Sequence, residues 1–424
     1  MVTAVAVRVR AVVRELRGYP RQYWILVAGT FVYVGAAALG FPYEAIFLRR
    51  TLGASLSWIG ILFGVVPLVV MPLQVWGGAL TDRIGRRWMI SAAAVSAVVW
   101  FVGFAFSQTL WQVGVLVAME SVLGWPLYQT ASGAMIADLI PPERRAEAFS
   151  ISRVAMNAGV VAGPALGGLA LGAGLSFRQL FLVAAGGCFI FLIVTLLGIR
   201  ETRPESAVRQ RDDDAPYGYR IVLADRRFLA FCGISLLPVS LFGIFTSMYP
   251  VFITDTIGVP YKTWGLLLAL NALMVAIVQF PLVRGLRHAD KLVLMALASV
   301  LIGLALGLTA FVYSLWPLVV FVILMSFGEM LLSPIATTMV SDMAPEEVRG
   351  RYMGVWALIW NGGMGLGPAL AGVSMDGLGS RQTFSAMILF GAAGAVGYLL
   401  LRAGIRRRDQ AGPGARDGAP LGEV

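Results

Sequence analysis

Apolar residues run through this chain in long blocks rather than in the alternation of a half-buried strand or the one-sided stripe of a surface helix. Blocks of about eighteen or more apolar residues read as membrane-spanning helices. They fall near 22–48, 56–80, 87–107, 110–137, 148–174 and 178–199, and again near 227–254, 262–284, 290–312, 316–340, 350–375 and 380–402. The polar breaks between them are short except for Arg200 to Arg226, which holds the run Asp212, Asp213 and Asp214. The pattern predicts an all-α membrane protein with twelve transmembrane helices in two pseudo-symmetric six-helix bundles. It divides the chain into a basic arm over 1–21, a first bundle over 22–199, a linker over 200–226, a second bundle over 227–403 and a disordered tail over 404–424.

Composition supports that division. Of 424 residues 58% are hydrophobic and 13% charged, against about a quarter charged in a soluble domain. A cytosolic enzyme, a nucleic-acid binder and a disordered scaffold are excluded. The net charge of +10 is a topology signal: with both termini inside, 28 of the 33 Lys and Arg fall on inner segments, leaving Arg49, Arg50, Arg178, Lys262 and Arg381 outside. The protein is thus expected as a multi-pass protein of the cytoplasmic (plasma) membrane with both termini cytoplasmic, a monomer whose partners are membrane lipids and small molecules, not nucleic acid. In the arm, Arg8, Arg10, Arg14, Arg17 and Arg21 break up the apolar residues, so it reads as an inner-leaflet anchor and not a secretory signal. Cys188 and Cys232 sit in apolar runs and His288 in a polar break, so no metal site and no cofactor is expected.

An internal repeat with an offset of 204 residues crosses the loops and helices after spans 4 and 10. Asp138, Pro141, Glu143, Arg145, Asn157, Gly159, Gly163, Pro164 and Gly168 recur as Asp342, Pro345, Glu347, Arg349, Asn361, Gly363, Gly367, Pro368 and Gly372. Two related six-helix halves are how rocking transporters are built, with the substrate between the halves near the midplane.

The segment Gly78-Ala-Leu-Thr-Asp82-Arg83-Ile-Gly85-Arg86-Arg87, between spans 2 and 3, resembles the signature loop of the major facilitator superfamily. The resemblance in span count, halves and loop placement covers about residues 20 to 403. It implies that Asp82 caps the N-terminus of span 11, where the helix dipole favours an anion, and that the loop arginines complete a conformational latch. The matching loop of the second half, Leu282 to Lys291, lacks the Gly and Asp pattern. Gly159, Gly163, Pro164, Gly167 and Gly168 in span 5 resemble the antiporter motif of the drug:proton branch. The repeat of this motif as Gly367-Pro368 in span 11 leaves close helix packing and bending as the other reading.

Ionisable residues at membrane depth are costly and usually functional. Three acids qualify: Glu120 in span 4, Glu329 in span 10, and Glu44 near the outer end of span 1 beside Pro42. Spans 1, 4, 7 and 10 line the cavity in the superfamily, so the resemblance implies that all three face it. Arg153, near the start of span 5, is the basic residue lying well within a span, and its stem reaches the interface. Acids without bases suit cations and protons, whereas an anionic substrate wants Arg or Lys. A desolvated carboxylate favours its neutral form, so a proton and a cationic substrate exclude each other there. Trp125, Tyr128, Tyr249, Trp356 and Trp360 are candidate faces for a lipophilic cation.

Gly328-Glu329 before Ser333-Pro334, and Ala134 to Asp138 at the end of span 4, resemble LmrP-type multidrug:proton antiporters. One departure stands out: span 4 carries Glu120 before Gly124 where that branch carries an arginine, which moves proton handling onto Glu120. Asp138 and Asp342 stand at helix ends, where capping or gating by the Glu143 and Arg145 cluster is expected. The reading is a secondary active transporter, not an enzyme, exporting amphipathic or cationic small molecules in exchange for protons by alternating access. The alternatives are a superfamily transporter of a specific neutral metabolite or lipid, working by proton symport, and a membrane sensor that no longer transports.

Overall fold

The computed structural model describes residues 18–72, 84–202 and 220–410, and the regular structure in them is helical. Among the described residues, ten helices are long and apolar enough to cross a membrane. They are α1 (Arg21–Arg50), α3 (Arg86–Phe106), α4 (Leu110–Leu139), α5 (Pro142–Gly172), α6 (Phe177–Gly198), α7 (Arg226–Ser247), α8 (Tyr261–Gly285), α9 (Lys291–Thr309), α10 (Trp316–Met343) and α12 (Ser380–Arg407). Two further helices complete the expected set of twelve: α2 (Leu56–Pro72), which runs toward the signature loop, and α11 (Arg349–Leu378). Both are less purely lipid-facing in character. α11 is rich in glycine and carries Asn361 and Asp376, as suits a helix that packs on other helices.

The helix ends follow local chemistry. Ser176 and Gln179 form a reciprocal capping box at the start of α6, and Asp225 and Asp290 cap α7 and α9 through their side chains. The regular α-helical pattern of α1 is interrupted by a single 3₁₀ turn, Phe41–Tyr43, that contains Pro42. α2 contains a π-turn over Ile61–Val65.

The sequence predicts α4 as one continuous span, but it is two pieces, Leu110–Leu123 and Trp125–Leu139. The break is at Gly124, whose backbone (φ −88°, ψ −118°) is non-helical and lies just before Pro126.

Within the first half, α1 packs on α5 and α6, and α3 on α4 and α6; within the second, α7 packs on α11 and α12, and α9 on α10 and α12. The halves meet along two seams, α5 on α8 and α2 on α11. The 204-residue repeat maps onto both kinds of contact. Gly163 lies against the α1 backbone at Gly35 and Ala38, and its counterpart Gly367 against the α7 backbone at Ser240. Gly168 faces Tyr261 and Gly265 of α8, and its counterpart Gly372 faces Leu56 of α2. The repeated glycines are therefore places where a Cβ would strike a neighbouring backbone.

Successive helices reverse direction, so the start of α1 and the end of α12 share one face, here the terminal face, and the end of α1 lies on the opposite, distal face. On the distal face the halves are joined. Arg49 and Arg50 pair with Asp255 at 3.3 and 2.7 Å, and Trp264 donates its indole N–H to the Pro42 carbonyl at 3.3 Å.

Candidate functional site

Between the halves lies a cavity of about 610 Å³. Its walls are built from α1, α2, α3 and α4, with Val160 of α5 and contributions from Thr246 and Ser247 of α7 and Asn361, Met364 and Gly365 of α11. Tyr33, Trp100 and Trp125 line it together with Glu44 and Glu120. Tyr33 and Trp125 are stacked with ring centroids 6.4 Å apart. No basic residue is among the described residues lining the cavity.

The two acids are held by one face of α3. Ser96 donates its hydroxyl to Glu120 Oε2 at 2.6 Å, and Trp100 donates its indole N–H to Glu44 Oε1 at 2.7 Å. Ser96 and Trp100 are four residues apart, one helical turn, so their side chains share a face. Glu44 is 1% exposed, and its second oxygen, Oε2, has no hydrogen-bond partner. A carboxylate buried this way carries the cost of an isolated charge, which a bound proton or a cationic ligand relieves. Glu120 folds back over the chain break in α4, its oxygens where a Cβ at Gly124 would stand. Sequence reasoning misses Ser96 and Trp100; the signal that could find them is a serine and a tryptophan one turn apart in an apolar helix.

Several expectations about this site are revised. Glu329 does not line the cavity with Glu44 and Glu120. It is half-buried between α8 and α10, where Asn271 donates to Glu329 Oε2 and to Ser326 Oγ, both at 3.0 Å. Tyr249 packs into the second half's core against Phe245, Trp264 and Phe384, with its hydroxyl 3.4 Å from that of Thr309. Trp356 is buried on Phe231, and Trp360 lies against Phe242 and Trp356. Tyr128 stacks behind the wall on Tyr33 and Trp125 and shares a 2.6 Å hydrogen bond with Thr30. Of the five aromatic candidates Trp125 lines the cavity. The others lie on inward faces of their own bundles, which the sequence cannot tell from cavity faces.

Of the latch, Gly78, Asp82 and Arg83 lie outside the described residues. Gly85, Arg86 and Arg87 form a cluster on the terminal face. Gly85 has a positive φ of 113°, and a Cβ there would meet the Glu201 carboxylate. Glu201 accepts the backbone N–H groups of Arg86 and Arg87 at 2.9 and 3.1 Å, closing the N-terminus of α3. Arg86 pairs with Asp138 at 3.1 Å. Asp138 is therefore held by Arg86 and Thr202, not by the Glu143 and Arg145 cluster; Arg145 turns to the Ile140 carbonyl. In the second half Lys291 pairs with Asp342, so an ion pair persists where the sequence pattern of the loop has lapsed.

The distal seam of α2 and α11 is close-packed. A Cβ at Gly64 would stand 2.2 Å from the Gly365 carbonyl oxygen and one at Gly60 2.4 Å from that of Pro368. At its outer end Asp376 of α11 accepts the N–H groups of Leu56 and Ser57 at 3.2 and 2.8 Å and the Ser57 hydroxyl at 2.7 Å, capping α2. Burial pulls this carboxyl up, but the hydrogen bonds from Ser57 and Leu56 outweigh it and hold it below the usual carboxylate range. The Arg49 and Arg50 pairs are part-exposed, worth up to about 1 kcal/mol each. The backbone-to-backbone contacts of α2 with α11 and of α5 with α8 are thus the main fastening.

A family model described as Major Facilitator Superfamily matches residues 25–299 and 244–423. The chain belongs to the Major Facilitator Superfamily. It is similar to a Na(+), Li(+), K(+)/H(+) antiporter of Planococcus maritimus, 26% identical over 84% of this chain and 89% of the relative. It is also similar to the multidrug resistance protein MdtH of Klebsiella pneumoniae, 26% identical over 90% of this chain and 93% of the relative. Among solved structures a mutant of the nucleoside transporter NupG shares the fold, with a TM-score of 0.77 at 14% identity, covering 90% of this chain and 99% of that one. The protein is thus a multi-pass membrane transporter of the Major Facilitator Superfamily with bacterial relatives, and its halves touch on the distal face.

Proposed function

We propose that this Major Facilitator Superfamily transporter exports amphipathic or cationic small molecules in exchange for protons, as a member of the drug:proton antiporter branch of LmrP type. One observation carries the reading: Glu44 and Glu120 share one aromatic cavity whose described lining holds no basic residue. A carboxylate there holds either a proton or the positive group of a substrate, and that mutual exclusion couples the two fluxes. The size of the cavity, about 610 Å³, suits a drug-sized molecule and is far larger than a bare monovalent ion needs. Of the two named relatives, the multidrug protein therefore fits this cavity better than the alkali-cation antiporter.

In this mechanism the terminal face, where the basic residues gather, is cytoplasmic. The distal seam then acts as a closed gate, which makes the described state inward-facing. Substrate enters from the cytoplasm or inner leaflet and displaces a proton from Glu120. The α2 and α11 seam opens as a latch through Asp82 forms at the opposite ends of the same helices, and protons from outside release the substrate. Glu329 with Asn271 is a second, separate protonation site in the other half.

The test is flux of a fluorescent lipophilic cation into proteoliposomes under an imposed pH gradient. Gradient-driven flux in the wild type that falls at least tenfold in Glu120→Gln supports exchange. Absence of flux for several chemically different cations, with folded protein, overturns it.

A further inference from the structure

The cavity offers a substrate two negative groups, not one. Glu120 hangs from Ser96 and Glu44 from Trp100, and these anchors are one turn apart on α3, roughly 6 Å along its axis. Both acids line the same space. Trp125 lines the same space, and Trp100 donates to Glu44. The Oε2 atom of Glu44 is buried and without a partner. A substrate with one positive group answers one carboxyl, and the other must then keep its proton, because an unmatched charge in a low-dielectric wall is costly.

We propose that the cavity takes dications: amphipathic molecules with two positive groups about one helical turn apart, one seated at Glu120, the other at Glu44. This deepens the reading of the cavity as a cation exporter and rests on it. A dication engages both carboxylates at once; the part-exposed Trp125 ring offers a face for a cation–π contact, strongest for a desolvated quaternary ammonium, while Trp100 holds Glu44 through its N–H edge. A monocation uses Glu120 alone while Glu44 keeps a proton. Tyr33 of α1 and Cys188 of α6 are the other titratable groups within electrostatic reach of Glu120; both are neutral when protonated and add no charge to the count. Glu44 is on this account the residue that sets substrate charge.

The experiment compares two permanently charged probes in proteoliposomes: benzyltrimethylammonium, and the benzene carrying trimethylammoniomethyl groups at both para positions. Permanent charge removes titration of the substrate from the comparison. The expected result is wild-type flux of both probes, a loss of dication flux in Glu44→Gln at least tenfold greater than any loss of monocation flux, and loss of both in Glu120→Gln. Trp100→Phe, which removes the indole donor at unchanged charge, also lowers dication flux selectively, and serves if Glu44→Gln does not fold. Monocation flux without dication flux in the wild type overturns the proposal and leaves cation export standing. So does a Glu44→Gln protein that loses both probes equally or neither. Flux of neither probe, nor of any lipophilic cation, overturns the export reading together with the proposal.

Discussion

Trp100 donates its indole N–H to Glu44 at 2.7 Å, and one turn earlier on the same helix Ser96 donates to Glu120 at 2.6 Å. α3 is neither of the cavity's acid-bearing helices, yet it sets where both carboxyls stand. The site is a set of positions fixed by three helices, so changes that carry no charge should alter transport.

Gly124 is the sharpest such case. A Cβ at this position would stand 1.9 Å from a Glu120 carboxylate oxygen. The obstacle is the end of a flexible side chain, so Gly124→Ala is expected to fold and to swing Glu120 off Ser96. Cation flux should fall severalfold with the Tm in detergent changed by only a few degrees. Unchanged flux would show that the placement of Glu120 over the chain break is irrelevant to transport.

The distal gate should respond to acid. The Asp376 carboxyl is held below its ordinary range by Ser57 and Leu56, so closure binds the anion more strongly than the open gate does. The stabilisation is present in full above the ordinary carboxylate value of about 3.9 and is lost as the pH falls through the lower value of the closed state. Asp376→Asn removes this dependence. Cross-linking of a cysteine pair placed across the distal ends of α2 and α11 should drop in acid for the wild type and stay low in Asp376→Asn at every pH. A cross-linking yield that is flat with pH in the wild type would contradict the assignment.

Where α2 meets α11, Gly64 is opposed by backbone and nothing flexible can yield. Gly64→Val is expected to destabilise the closed distal gate by about 1–3 kcal/mol, the usual cost of overpacking. Transporters with the distal face open should become the majority species, read as increased labelling of distal cysteines by a membrane-impermeant maleimide. Wild-type labelling would remove the α2 and α11 seam from the account of closure.

The two ion pairs of the terminal face should differ in worth. Arg86 and Asp138 are 7% and 17% exposed, whereas Lys291 and Asp342 are 39% and 56% exposed. Arg86→Ala should therefore cost about 2 kcal/mol, between a surface pair and a fully buried one. Lys291→Ala should cost less than about 1 kcal/mol. Thermal unfolding in one detergent ranks the two; equal losses would mean that burial does not separate them.

The helices and their family are legible because a lipid-crossing helix announces itself through a long apolar run, and the 204-residue repeat because glycines at backbone contacts tolerate no substitute. Which way a residue faces is less so. Glu44 and Glu120 can be found from depth alone, but Glu329, Tyr249, Trp356 and Trp360 point elsewhere than one cavity. An apolar helix in lipid lacks the polar outer stripe that fixes rotation in a soluble protein. The partners are the least legible: Ser96, Trp100, Glu201 and Asp376 gain their roles from residues distant in sequence.

Exchange of this kind requires that substrate and proton compete for the same carboxyls. Mixing a lipophilic cation such as tetraphenylphosphonium with purified transporter in weakly buffered detergent, and reading released protons with a pH dye, tests this without any gradient or membrane. Proton release on binding is expected in the wild type and none in Glu120→Gln. Saturable binding of the cation with no proton released would contradict the competition.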